Sequence, residues 1–160
     1  MARTEQKRLL DRDLVAFVHG GVAIGVATRN DELRPALTRG FGPQVSADGG
    51  ALTLCVIARP GSPTSENLAA NGAIAVVFNP PTLGRALQLK GVVLETFVPG
   101  PAELERAEEH LREFMAEAER VGVSPETSRR VFVRSDLHAV TFSIEEMFDQ
   151  TPGRGAGGRL

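Results

Sequence analysis

The sequence predicts a mainly β protein with helices (α+β), built as a closed or partly closed antiparallel β-barrel with helices on its outside. Strand-like runs succeed one another through tight turns, and no regular βαβ alternation appears. Asp48-Gly49, set between two such runs, is a strong hairpin signal, because these residues tolerate the positive φ angles of a primed turn. Two runs, Leu52–Ile57 and Ile74–Phe78, are apolar on both faces, so each needs cover outside the barrel as well as a core within it. The 160 residues suffice for one domain with a proper core, placed at 1–150, followed by a Gly-rich tail at 151–160.

Each element has its own signal. Thr4–Val18 predicts a short amphipathic helix with Leu10, Leu14 and Phe17 on one face, stopped by His19-Gly20-Gly21. Val22–Thr28 predicts a first strand and Leu33–Val45 a second, the latter bent at Gly40 and at Gly42-Pro43. The hairpin leads into a third strand, Ala51–Ala58. Ser65–Gly72 reads as a two-turn helix, capped by Ser65 or Thr64 and stopped by Asn71-Gly72. Ala73–Phe78 is the fourth strand, and Arg85–Val98 a long fifth with a kink or bulge at Gly91. In Ala102–Val121, Leu104, Ala107, Leu111, Phe114, Ala118 and Val121 form one apolar helical stripe. Seven Glu and three Arg of that segment read as solvated surface, and His110 is expected to be exposed with them. Ser124-Pro125-Glu126 opens a further short helix, and Leu137–Ile144 is the last strand.

Composition narrows the function. A net charge of −2, scattered arginines, and the lack of Trp and Tyr argue against nucleic acid or an anionic membrane as partner. No stretch has the length of an apolar membrane span or signal core, so a cytoplasmic protein is expected. The single cysteine, Cys55, lies in an apolar strand with no cationic neighbour in sequence and reads as packing. The three histidines are far apart, with no zinc-like spacing, and no nucleophile elbow, dinucleotide glycine motif or Walker loop is present. No residue presents itself as a general acid or base, so the catalytic residues stay unassigned.

Two strand segments and one loop can hold a ligand. In the second strand, Leu37, Arg39 and Phe41 share a face, so Arg39 sits among apolar neighbours and needs an anion: a carboxylate of the protein or a ligand phosphate. Gln88 and Lys90 point the same way from the fifth strand, opposite Leu87 and Leu89; Gln88 can read the edge of a planar heterocycle. The stretch Arg59–Phe78 places a hydroxyl-rich loop, with Ser62, Thr64 and Ser65, at the opening of a helix. Free N–H groups and the positive end of the helix dipole there suit a phosphate.

In order and spacing, Arg34–Arg39 (RPALTR), Asn67–Phe78 (NLAANGAIAVVF), Leu87–Gly91 (LQLKG) and Met147–Gly157 (MFDQTPGRGAG) resemble the FMN-binding split-barrel proteins related to pyridoxamine 5′-phosphate oxidase. The similarity runs over roughly residues 10 to 157. It implies a split antiparallel β-barrel with flanking helices and a homodimer holding FMN at the subunit interface. The family's phosphate arginine falls on Arg39, its phosphate loop on Ser62–Ser65, and its flavin-contacting glutamine on Gln88, with Lys90 beside it. Two positions depart from the pattern. The family's loop lysine falls on Thr64, which carries no charge, and the tail lacks the arginine-containing substrate segment of true pyridoxamine phosphate oxidases. Vitamin B6 oxidation is therefore not expected. The resemblance implies an FMN-dependent oxidoreductase acting on a small molecule. The alternative is a non-catalytic binding or sensing protein for flavin, deazaflavin or haem on the same barrel. The tail is expected to be a partly ordered arm over the neighbouring subunit, anchored by Phe148.

Overall fold

The computed structural model describes residues 9–132 and 135–160. Its elements follow in the order α1 (Arg12–His19), β1 (Ala23–Arg29), β2 (Pro35–Val45), β3 (Ala51–Ile57), α2 (Pro63–Ala70), β4 (Ala73–Asn79), β5 (Leu87–Phe97), α3 (Pro101–Arg120), α4 (Pro125–Val131), β6 (Leu137–Asp149) and β7 (Gly158–Arg159). All strand pairs are antiparallel, in the order β3-β2-β1-β4-β5-β6-β7, and a further β3–β6 pairing closes the first six strands into a barrel.

Alternation fills the barrel. Ile24 and Val26, Leu52, Leu54 and Val56, Ile74, Val76 and Phe78, Leu87 and Leu89, and Val140, Phe142 and Ile144 all turn inward and are buried. Each large apolar side chain removed from water in this way contributes roughly 1.5–3 kcal/mol. Two helices close the ends. At the start of β1, α1 packs Leu14, Val15 and Phe17 onto the core, with Asp11 capping it through the Leu14 N–H. At the far end of β1, α2 is pinned where Asn67 Nδ2 donates to Thr28 Oγ1, both residues being buried.

The barrel is split along β6. Its first half pairs with β3 only as far as Ser143, opposite Ala51. Beyond that point β6 has a free edge, and β7 takes it, setting Arg159 opposite Phe148 and Gly158 opposite Asp149. The last strand thus runs five residues past the expected Ile144, and Gly158–Arg159 of the tail turn back to pair with it. The first helix is also shorter than expected: it starts after Asp11, and residues 4–8 lie outside the described residues. The predicted bulge is present, with the register shifting between Lys90 and Gly91. A Cβ on Gly91 would stand 1.6 Å from Ser143 O, so no side chain fits there.

Candidate functional site

The outer surface of the barrel has two parts. One lies under α3. Phe41 and Cys55 on the strands pack with Ala107, Leu111, Phe114 and Ala118 on the helix. Gly42, at φ +58°, and Gly21 let the backbones touch: a Cβ on either would lie 2.6 and 2.7 Å from Ala107 N and Glu113 O, respectively. His110, expected to be exposed, is 6% exposed instead. Its Nε2–H donates to Val22 O at 2.8 Å, which leaves Nδ1 as a buried lone pair with no partner among the described residues. Burial holds this imidazole below its usual pKa. Its position three residues after Ala107 and four before Phe114 puts it on the apolar stripe, a signal present in the sequence but masked by its glutamate neighbours. Beside it, His19 Nε2 accepts the Val45 N–H at 3.1 Å, and a cleft of about 160 Å³ lies between them. None of the six residues expected to bind a ligand lines this cleft. Burial, with the Glu103 carboxylate, raises the Cys55 thiol to about 11, which makes it an unreactive core group.

The other part carries no helix of the described residues and holds three of the six. Strand register puts Arg39, Gly25, Val77, Gln88, Phe148 and Arg159 in one row across β2, β1, β4, β5, β6 and β7. The neighbouring row on the same face is Leu37, Ala27, Ala75, Lys90 and Glu146. Arg39 and Gln88 are thus three strand spacings apart, about 14 Å along the sheet. Between them the side chains are small, and at Gly25 a Cβ would find nothing within 4 Å. The result is a shallow trough with a guanidinium at one end and an amide and an ammonium at the other.

The polar ends of the trough are held differently. The Arg39 guanidinium lies over the Phe132 ring, 4.4 Å from its centroid, and no carboxylate among the described residues is paired with it. Gln150 Nε2 donates to Gln88 Oε1 at 3.0 Å, which engages the Gln88 carbonyl and leaves its NH2 as the group that can still donate. Lys90 Nζ sits 4.8 Å from the Phe148 ring centroid, and the facing Glu146 is held by Arg159 at 3.6 Å.

The loop residues lie elsewhere, at the barrel end where α2 begins. Ser62 is the cap of α2, its Oγ accepting the Ser65 N–H at 3.3 Å, two residues before the expected Thr64 and three before Ser65. Thr64 is buried. Ser62 and Ser65 remain half-buried on the first turn. Thr38, next to Arg39, donates its Oγ1–H to Ile57 O at 2.7 Å, which ties the Arg39 end of β2 to the segment that enters this loop. Phe132, Gln150 and Gly25 were not singled out in the sequence: the first two act through contacts between distant segments, and the third only through what it lacks. Among the described residues, no three His, Cys, Asp or Glu side chains gather where they could hold a metal.

Solved structures resemble the whole chain. HupZ of Group A Streptococcus matches at 15% identity with a TM-score of 0.54, over 93% of this chain and 100% of that one. A Lactobacillus delbrueckii protein inferred to be a pyridoxamine 5′-phosphate oxidase matches at 15% identity and TM-score 0.53, over 92% of this chain and 99% of that one. An FMN-binding protein of Syntrophomonas wolfei matches at 12% identity and TM-score 0.52, over 90% of each chain. No family model matches the chain, and neither does any curated protein. The chain therefore has the α+β split-barrel fold that the resemblance implies, shared with pyridoxamine phosphate oxidase-like and FMN-binding proteins.

Proposed function

We propose that this chain binds FMN in the trough between Arg39 and Gln88, as a homodimer, and works as an oxidoreductase on a small molecule. The observation that carries the reading is the Arg39 row itself. A guanidinium with no carboxylate partner among the described residues stands at one end of an open, small-residue floor, and an amide stands at the other. The span suits a ligand with a phosphate at one end and a flat hydrogen-bonding ring at the other. Arg39 takes the phosphate by charge-assisted, two-pronged hydrogen bonds. Ser62 and Ser65 add donors from the start of α2. Gln88 orients the ring edge, and Lys90 places a positive charge beside it. FMN supplies the two-electron redox chemistry, so the protein needs only to bind, orient and exclude water.

A second copy completes the site in this reading. Leu37 is 81% exposed and Val92 40%, on a face whose other members, Ala27, Ala75 and Val77, are only half-buried. A partner laid on this face buries them and roofs the trough. The purified protein should show flavin absorption after loading with FMN, and reduced nicotinamide or another hydride donor should bleach it. A Soret band after exposure to haem, with no flavin bands, would favour the haem-binding alternative, and light scattering of a stable monomer at micromolar concentration would remove the dimer.

A further inference from the structure

We infer that Phe132 is a positioning residue of the anion site: its ring takes one face of the Arg39 guanidinium and fixes the N–H edge offered to the ligand phosphate. The inference rests on the reading that Arg39 binds that phosphate.

Among the described residues three cations stack on phenylalanine rings, and they differ in company. Arg85 lies 4.4 Å from the Phe17 centroid, yet it is near enough to Asp149 to help hold that carboxyl below its usual pKa, after the dominant hydrogen bonds from Thr151. Lys90 lies over Phe148 with Glu146 directly across the strand pair. Arg39 over Phe132 has the ring and no paired carboxylate among the described residues. A guanidinium stacked by its face keeps all its N–H groups in the plane and directed outward, which is the geometry a phosphate reads. Without the ring, the same side chain samples many rotamers, and its donors converge on the ligand only part of the time.

The ring is well placed to do this because it is itself held. Phe114 on α3 meets it at 4.5 Å between centroids, at an angle of 57°. Its own N–H closes the end of α4 on Ser128 O at 2.9 Å. It packs with the cluster that joins α3 to the barrel, Val123 and Leu137 included. The helical layer that covers one face of the barrel therefore reaches to the edge of the open face and supports the arginine there.

The test compares FMN with riboflavin, which lacks the phosphate, on the full chain. Phe132→Leu keeps an apolar side chain against Phe114 but removes the ring face. It should weaken FMN by roughly three- to tenfold and leave riboflavin unchanged. Phe132→Tyr should restore wild-type FMN affinity. Arg39→Lys keeps the charge but has no planar face; it should lose a similar factor and make Phe132→Leu silent when the two are combined. Equal losses of FMN and riboflavin in Phe132→Leu, or failure of Phe132→Tyr to restore binding, would overturn the inference by making Phe132 structural. Should Phe132→Leu fail to fold, the Arg39→Lys and Phe132→Tyr pair decides: a Tyr variant weakened for FMN alone, or a Lys variant equal to wild type, would overturn it. If Arg39→Ala binds FMN as wild type does, the phosphate reading itself fails. If Arg39→Ala is weak while Phe132→Leu is normal, only the role of Phe132 fails.

Discussion

The two outer faces of this barrel are built from the same kind of strand and reach opposite ends. Under α3, glycine at positions 21 and 42 lets helix and strand backbones touch, and even a histidine is buried and bonded to a carbonyl. On the β1–β4–β5 face, a glycine at position 25 looks onto open space, and the Arg39 guanidinium has no carboxylate partner among the described residues. Glycine thus does opposite work on the two faces: close packing on one and room on the other. A face that a chain covers with its own helix needs nothing more. A face left open, with small residues at its centre, is where we propose that a ligand and a second copy bind.

Substitution at the two glycines should separate the faces most widely. Gly42→Val puts a branched side chain at φ +58° and against the α3 backbone, and should cost about 3 kcal/mol or more, seen as a large drop in denaturant midpoint. An unchanged midpoint would mean that α3 is not docked as described.

Acid should come next, and it acts on the covered face. His110 and His19 have folded pKa values lowered by burial, so the unfolded chain takes up protons first as pH falls below about 6.5. Stability from these groups is complete above that pH and is lost as pH drops from there through the folded values. The slope is limited to about 1.4 kcal/mol per pH unit for each histidine. Thermal unfolding followed from pH 7.5 to 5 should show the decline, and His110→Gln should flatten it. A slope unaffected by that change would place the acid sensitivity elsewhere.

How much of this could be read from the sequence follows the same division. Strand alternation, the Asp48-Gly49 hairpin, the Gly91 bulge and the α3 stripe are local patterns, and the fold repeats them. The second half of β6 was missed because Glu145 and Glu146 interrupt the apolar pattern where the strand leaves the barrel closure. The pairing of β7 was missed because a Gly-rich segment joins a sheet through its backbone alone. His110 was misjudged because six glutamates within seven residues on either side hide its place on the stripe. At the candidate site, period two was enough to put Arg39, Gln88 and Lys90 on strand faces. That these faces are one face, and that Phe132 stands behind Arg39, depends on register and on contacts between remote segments, which no local pattern carries.

The smallest expected change in stability is at Gly25. Because a Cβ there meets nothing, Gly25→Val should leave the unfolding midpoint of the barrel within about 0.5 kcal/mol of wild type, while filling the trough floor and abolishing FMN binding. Retained FMN binding in that variant would move the ligand off the row.

The account turns on Arg39, and calorimetric titration of FMN and riboflavin into wild type and Arg39→Ala tests it directly. A charge-assisted hydrogen bond contributes about 1.5–3 kcal/mol, so the substitution should weaken FMN by roughly ten- to a hundredfold. Riboflavin, with no phosphate to lose, should bind the two proteins nearly alike. Equal losses for both ligands, or wild type that binds FMN no better than riboflavin, would contradict the claim that the open face is a phosphate-anchored flavin site.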